Sequence, residues 1–350
     1  MKPSLPGLGP RTRKPVKLSS GELVTTRLPE GGPEYPLIIE PRVEGLELVT
    51  WAGDNRAFLE ESLGRYGGVM LRGFHMEGVG AFAGFVRASS GEPLPYLERS
   101  SPRELVEDQV YTSTSHPAEQ EIFLHTEQSY NLTFPGRIYF HCVTPAAERG
   151  ATPIACTRRI VRELPREIVE RFLARGYRYV RNFGGGLGLS WQTAFQTQVR
   201  AVVERYCRDN QIDFQWLEGE RLRTSQVRRC VAKHPRTGEL AWFNHATFFN
   251  VSTLEPELVA HLRSQFREEE LPNNTYYGDG APIEPEVLEA LRAAYRRAKV
   301  AIPWQRGDCL MLDNMLMAHG REPFSGERRV VVAMSEPRRW ENVAFDGPLG

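Results

Sequence analysis

The sequence has no apolar run near the roughly 20 residues that a membrane-spanning helix needs. Its first residues, MKPSLPGLGPRTRKPVKLSS, lack the apolar stretch of a secretory signal. An excess of charge is also missing: Lys plus Arg equals Asp plus Glu at 44 each, and the formal net charge is zero. Neither nucleic acid bound through bulk positive charge nor an anionic membrane surface is therefore an expected partner. Cysteine is scarce. The five residues Cys142, Cys156, Cys207, Cys230 and Cys309 are odd in number, scattered and without a CxxC pair. They read as reduced, mostly buried thiols in a cytoplasmic protein. The Walker A, GxSxG and HExxH motifs are absent, and GGGLGL at 184–189 lacks the last glycine of a dinucleotide fingerprint. N-x-[ST] triplets at Asn131, Asn250 and Asn273 are chance matches when no secretory signal precedes them.

What is present is enough for a sizeable core: 41% of the 350 residues are hydrophobic and 25% charged. Residues 1–45, rich in Pro and Gly, read as an extended arm, and 46–350 as one domain. Phe58, Leu59, Leu63 and Tyr66 fall on one helical face, followed by the apolar strand GGVMLRGF and a second helix near 77–89. The segment 92–122 shows no sustained period and reads as a long loop suited to a lid. RIYFHCV and GYRYVRNF are strand candidates, with helix over 158–175 broken at Pro165. Phe195, Val199, Val202, Val203 and Tyr206 repeat at helical spacing after Ser190, a candidate N-cap. LAWFNHATFFNV reads as a buried strand, 284–299 as a charged helix, and CLMLDN and RRVVVAM as closing strands. Strands and helices do not alternate regularly, which disfavours Rossmann and TIM architectures.

The segment IFLHTEQSY places His125 and Glu127 two residues apart, on one face if the chain is extended. An HxE triplet is common by chance, and His319, in MAHGREPF, could equally be a turn residue before Gly320. Taken together, two histidines and a carboxylate make the facial triad of non-haem Fe(II) oxygenases, with positions left open for co-substrate and oxygen. The Arg328–Arg329 pair on an apolar strand adds a second signal. An arginine projecting from a core strand needs an anion, and a dicarboxylate co-substrate supplies one.

With these blocks in view, the chain resembles the TauD/TfdA family, the taurine dioxygenase-like 2-oxoglutarate oxygenases, from GGVMLRGF to about residue 336. The resemblance is carried by HTEQSY, FPGRIYFHCVTPAAERGATPIAC and GDCLMLDNMLMAHGREPFSGERRVVVAM, and is strongest to SyrP-like natural-product hydroxylases. It implies an α+β fold with a mainly β core, a double-stranded β-helix (jelly-roll) with flanking helices. It also implies Fe(II) on His125, Glu127 and His319, and 2-oxoglutarate on Thr152 and Arg329; strand alternation turns only one of Arg328 and Arg329 inward, and Arg328 is the alternative, otherwise a solvated neighbour on the opposite face.

The implied reaction is hydroxylation of an unactivated C–H bond in an amino acid or in an aminoacyl group on a peptide-synthetase carrier domain. Two departures bear on this. The taurine enzyme has Asp where Glu127 stands, and Ala333 occupies the position of its sulfonate-binding arginine, which disfavours a small sulfonate substrate. Gln128, Tyr130, Asn131, Asn244 and His245 are candidates to face the substrate, whereas His141 and His234 read as structural. The rival readings are a halogenase or desaturase of the same superfamily, a zinc hydrolase, and a non-catalytic regulatory or interaction protein that kept the fold. Glu127 opposes halogenation, because halogenases replace that carboxylate with a small residue.

Overall fold

The longest strand shows how the layers are sorted. The computed structural model describes residues 23–96, 98, 104–113, 116–184 and 188–349. In it, Thr133–Thr144 runs through the middle of an eight-stranded sheet. Its side chains alternate between two faces. Ile138, Phe140 and Cys142 enter an inner core with Leu310, Leu312, Val330, Val332 and Met334. Tyr139 enters an outer core with Cys309, Met311, Val331 and Ala333. Both faces are buried, so the central strands are apolar nearly throughout.

In spatial order the large sheet is Val24–Arg27, Leu37–Pro41, Gly68–Leu71, Cys309–Asp313, Thr133–Thr144, Arg329–Arg339, Val110–Thr112 and Leu105–Glu107. All neighbours are antiparallel except Leu37–Pro41 with Gly68–Leu71. Helices Leu48–Asp54, Arg56–Tyr66 and Gly78–Ser90 cover the outer face through Trp51, Leu59, Leu63, Phe82 and Phe85. Each such side chain removed from water stabilises the layer by ~1.5–3 kcal/mol. Arg56–Tyr66 stops at Gly67, whose φ of 72° is left-handed and strains any residue with a Cβ.

A smaller antiparallel sheet, Lys299–Val300, Ile154–Cys156, Met317–Arg321 and Ile122–His125, lies against the inner face. Its Ile154, Cys156 and Met317 complete the inner core. Two sheets packed this way form the double-stranded β-helix, and helices flank it. Between Ile154–Cys156 and Lys299–Val300 the chain builds a third antiparallel sheet, Asp213–Leu217, Arg221–Arg228, Tyr177–Phe183 and Asn273–Tyr277. Its residues Tyr177, Tyr179 and Tyr277 share a core with Trp242 and Phe249. No helix among the described residues is long and apolar enough to cross a membrane. All five cysteines are free and buried.

Four local expectations need correction. Residues 1–22 lie outside the described residues, but from Val24 onward the supposed arm is sheet, with Leu37, Ile38 and Ile39 buried. The segment 92–122 is not one loop, because Leu105–Glu107 and Val110–Thr112 form a hairpin on the sheet edge, paired to Val331 and Val332. Residues 97, 99–103 and 114–115 of that segment lie outside the described residues. The helical pattern at 195–206 splits into Trp191–Phe195 and Arg200–Asp209, because Gln196 turns left-handed. Ser190 does cap the first of these, its side chain accepting from the Thr193 N–H. Only Leu240–Trp242 of the 240–251 segment is strand.

One buried charge cluster ties the outer layer to the sheet. Arg137, fully buried, pairs with Asp313, with Glu60 at 3.1 Å and with Glu336 at 3.7 Å. His234 Nε2 lies 3.0 Å from Oδ2 of Asp313, the same oxygen that Arg137 meets. Burial alone would raise the Asp313 carboxyl, but Arg137 and then His234 outweigh it and hold it well below the usual carboxylate range. Asp313→Asn is expected to cost ~3–5 kcal/mol at neutral pH, since it strips the buried guanidinium of its closest counter-charge. The folded-state pKa lies below the unfolded one. The contribution is thus complete above about pH 4 and is lost as pH falls further toward the folded value. Urea denaturation of both proteins across that range checks this; equal midpoints at neutral pH would refute it.

Candidate metal and co-substrate site

His125 ends the strand Ile122–His125, and His319 sits opposite it on Met317–Arg321 as its direct cross-strand partner. Side chains of directly opposed residues share a face, and the two imidazole centroids are 4.5 Å apart. Glu127 is not in the strand. The chain turns there, with Gln128 at φ 53°, and brings a Glu127 oxygen to 3.7 Å from His319 Nε2. One donor atom from each of His125, Glu127 and His319 lies within 4.8 Å of the others, with Glu127 and His319 buried. His125 Nδ1 is 2.9 Å from the carbonyl of Phe123. A carbonyl only accepts, so Nδ1 carries the proton and Nε2 the lone pair that could ligate.

Asn314, in the turn after Cys309–Asp313, grips Glu127 from both sides. The Glu127 N–H donates to Asn314 Oδ1 at 2.7 Å, and Asn314 Nδ2 donates to the carbonyls of Glu127 and Pro135, each at 2.8 Å. Sequence reading gives Asn314 no role.

Beside the histidines, between the two sheets, is a cavity lined by Thr152, Arg321, Arg328, Ser113, Phe140 and Val332, among others. Arg328 donates through Nε to the Gly150 carbonyl at 2.8 Å and reaches Ser113 and Thr152 hydroxyls at 3.4 Å. Burial, and then the neighbouring charge of Arg321, pushes Arg328 down to about 10. Thr152 Oγ1 also accepts from Trp304 Nε1 at 3.2 Å, so both its lone pairs are engaged and its own O–H is left to donate. Trp304 is a second contributor that sequence reading leaves without a role.

The structure does not place Arg329 at the cavity. Arg329 is exposed, and it is Arg328 that lines the cavity. Strand alternation does send only one of the pair inward, and the parity follows Val330 and Val332, both on the inner core. The register shift between Arg329 and Val330 sits at this edge.

Of the other residues singled out, Asn244 is structural, bonding the Cys230 carbonyl at 2.9 Å and the Ala246 N–H at 3.0 Å. His245 is buried, 5.9 Å from His125 between ring centroids, with Nδ1 2.7 Å from the Ser129 hydroxyl. Burial, with a smaller contribution from His125, holds it well below the usual histidine range. Tyr130 packs on it at 5.0 Å. Gln128 and Asn131 are buried. His141 and His234 have structural partners, the Asp308 carbonyl at 3.2 Å and Asp313.

A double-stranded β-helix carrying two histidines and a carboxylate beside an arginine-lined cavity defines the class of 2-oxoglutarate-dependent non-haem iron dioxygenases. Comparison with known proteins gives the particular family. Residues 30–334 match the family described as taurine catabolism dioxygenase TauD, TfdA family. The dapdiamide synthesis protein DdaC of Enterobacter agglomerans is 40% identical over 279 residues, covering 80% of this chain and 85% of that protein. A clavaminate synthase-like protein of Arabidopsis thaliana is 26% identical, covering 79% and 84%. Among solved structures, the PvcB protein of Pseudomonas aeruginosa superposes with a TM-score of 0.55 at 16% identity, covering 95% of this chain and 98% of that one. The chain belongs to the TauD/TfdA family, and it is a dioxygenase that uses Fe(II) and 2-oxoglutarate.

Replacing Arg328 by Ala is expected to raise the 2-oxoglutarate requirement far more than Arg329→Ala does. Losing a charge-assisted contact to a desolvated anion costs on the order of 2–5 kcal/mol. Steady-state titration of 2-oxoglutarate with both variants decides it, and the reverse ranking would restore Arg329.

Proposed function

We propose that His125, Glu127 and His319 hold the Fe(II), that Thr152 and Arg328 hold 2-oxoglutarate, and that the enzyme hydroxylates an unactivated C–H bond of an amino acid or aminoacyl group. The observation that carries the reading is the convergence of three donor atoms within 4.8 Å, next to a cavity into which two arginines are built. The donor set fits the metal: imidazole nitrogen and carboxylate suit Fe(II), and no thiolate is among them. Bound there, iron and 2-oxoglutarate supply the oxidising chemistry. The protein's part is to fix the donors, neutralise the co-substrate and exclude water. The ring cluster of half-buried Phe248 with buried Phe249, Tyr130 and His245 supports a largely dry wall beside His125.

Two points support an amino-acid-like substrate. With Arg328 rather than Arg329 as the clamp, the position of the sulfonate-binding arginine in taurine dioxygenase moves from Ala333, which packs in the outer core, to Val332, which lines the cavity and offers no anion anchor. The relative at 40% identity is named for dapdiamide synthesis, which supports a biosynthetic role. Whether the amino acid is free or carried on a peptide-synthetase carrier domain is the finer question. A carboxylate at Glu127 opposes the halogenase reading. The hairpin of Leu105–Glu107 and Val110–Thr112, which precedes Ile122–His125 in sequence, is proposed to border the substrate entrance.

The metal assignment predicts that wild type takes up one Fe(II) or Mn(II) per chain under nitrogen. His125→Ala, Glu127→Ala and His319→Ala should each lose most of it while keeping their circular dichroism. Undiminished metal in folded variants would sink the triad. The substrate reading is tested by succinate release with Fe(II) and 2-oxoglutarate. Free amino acids, the same amino acids loaded on carrier proteins, and taurine would be screened in the presence of chloride. The expected product gains one oxygen and no chlorine. Taurine as best substrate, or a chlorinated product, would overturn it.

A further inference from the structure

Arg321 shares the cavity with Arg328 but is built differently. It is 5% exposed, and it makes no ion pair with a carboxylate among the described residues. Its terminal nitrogens hold backbone instead: Nη1 donates to the His116 carbonyl at 2.9 Å, and Nη2 to the carbonyls of Pro117 at 2.5 Å and Gln120 at 2.9 Å. The third donor, Nε–H, is buried and has no partner. The Glu119 carboxylate, on the loop whose carbonyls Arg321 holds, is exposed. A buried cation with an unsatisfied donor costs several kcal/mol on general grounds, and such groups persist where a ligand completes them. The cavity wall it shares with Arg328 and the Thr152 hydroxyl is where an anion would arrive.

We propose that Arg321 is a second anion-recognising residue of this pocket, and that it couples filling of the pocket to the exposed loop 116–120. The Nε–H donates to the bound dicarboxylate while the fork of the same guanidinium closes the loop that leads into His125. A planar guanidinium can do both at once because its donors point in fixed directions. A lysine ammonium, a single point charge, cannot. The anion orients Arg321, and Arg321 then holds the three loop carbonyls in place. Phe324 N–H, bonded to the Ala118 carbonyl at 2.9 Å, anchors the same loop from the strand side. This inference rests on the reading of the cavity as the 2-oxoglutarate pocket.

The experiment uses the full chain with Mn(II) and the unreactive analogue N-oxalylglycine, and measures analogue affinity together with hydrogen–deuterium exchange. In wild type, the analogue should slow exchange in peptides covering 116–122. Arg321→Lys should lose that slowing and bind the analogue roughly 10-fold or more weakly, the loss of one charged hydrogen bond. Exchange in Thr133–Thr144, the central strand, reports whether the variant is folded. Unchanged exchange at 116–122 in analogue-bound wild type overturns the coupling. Wild-type affinity in Arg321→Lys, with affinity lost in Arg328→Ala, overturns the role of Arg321 and leaves the pocket reading standing. Wild-type affinity in both variants overturns the pocket reading itself. If Arg321→Lys unfolds, the wild-type exchange comparison decides alone.

Discussion

One carboxamide joins the two halves of the site. Asn314 is fully buried and meets Glu127 across 187 residues of sequence, accepting from its N–H and donating to its carbonyl. A third bond to Pro135 ties the same group to the start of the central strand. The carboxylate donor lies outside any strand, so sheet pairing does not hold it. Without Asn314 its backbone would be a turn with unmet hydrogen bonds in the protein interior, each costing on the order of 1–3 kcal/mol. Asn314 is in turn placed by Asp313, whose Oδ1 accepts from the N–H groups of Met315 and Leu316 and whose other oxygen faces Arg137 and His234. The buried ion cluster, which looks remote from chemistry, therefore sets the turn that positions Glu127.

The two histidines are held differently, by register. Direct opposition of His125 and His319 in an antiparallel pair fixes their separation through backbone bonds alone. Gly320 helps keep that pair close, because a Cβ there would come within 2.5 Å of the Ile122 carbonyl. A slip of one residue would carry one imidazole to the opposite face. The mixed strategy of two donors fixed by register and one by a side-chain clamp suits a facial arrangement, which needs three directions that a single flat sheet does not offer.

Much of this is legible in the sequence, and the failures are physical. The HxE triplet and the distant His319 can be paired because metal chemistry restricts the donor types. Thr152 is legible only through family resemblance, since a Thr before Pro153 has no distinctive pattern. The arginine parity is not legible: RRVVVAM is apolar on both faces, so a period of two carries no mark of which face is inward. Amphipathic edge strands announce their direction; doubly buried central strands do not. The hairpin inside 92–122 escapes notice because its strands are three residues each, too short to show alternation. Asn314 and Trp304 act through groups that the fold brings to them, and no local pattern records that. The split at Gln196 is missed because Gln carries no turn signal of its own.

The segment from Asp308 to Arg328 concentrates what the site needs. It leaves the large sheet at Asp313, turns through Asn314, crosses to the small sheet with His319 and Arg321, and returns at Arg328. His319, Asn314 and both cavity arginines thus lie on one short excursion between the two sheets. Each end is anchored: Asp308 by Arg72 at 2.7 Å, and Arg328 by the Gly150 carbonyl at 2.8 Å. Such an excursion cannot shift one group without shifting the others, because packed sheets move as units rather than bending residue by residue. The distance between the proposed metal donors and the proposed co-substrate anchor is therefore a property of the strand geometry. That leaves the loops, including the one Arg321 grips, as the parts able to respond when the pocket fills.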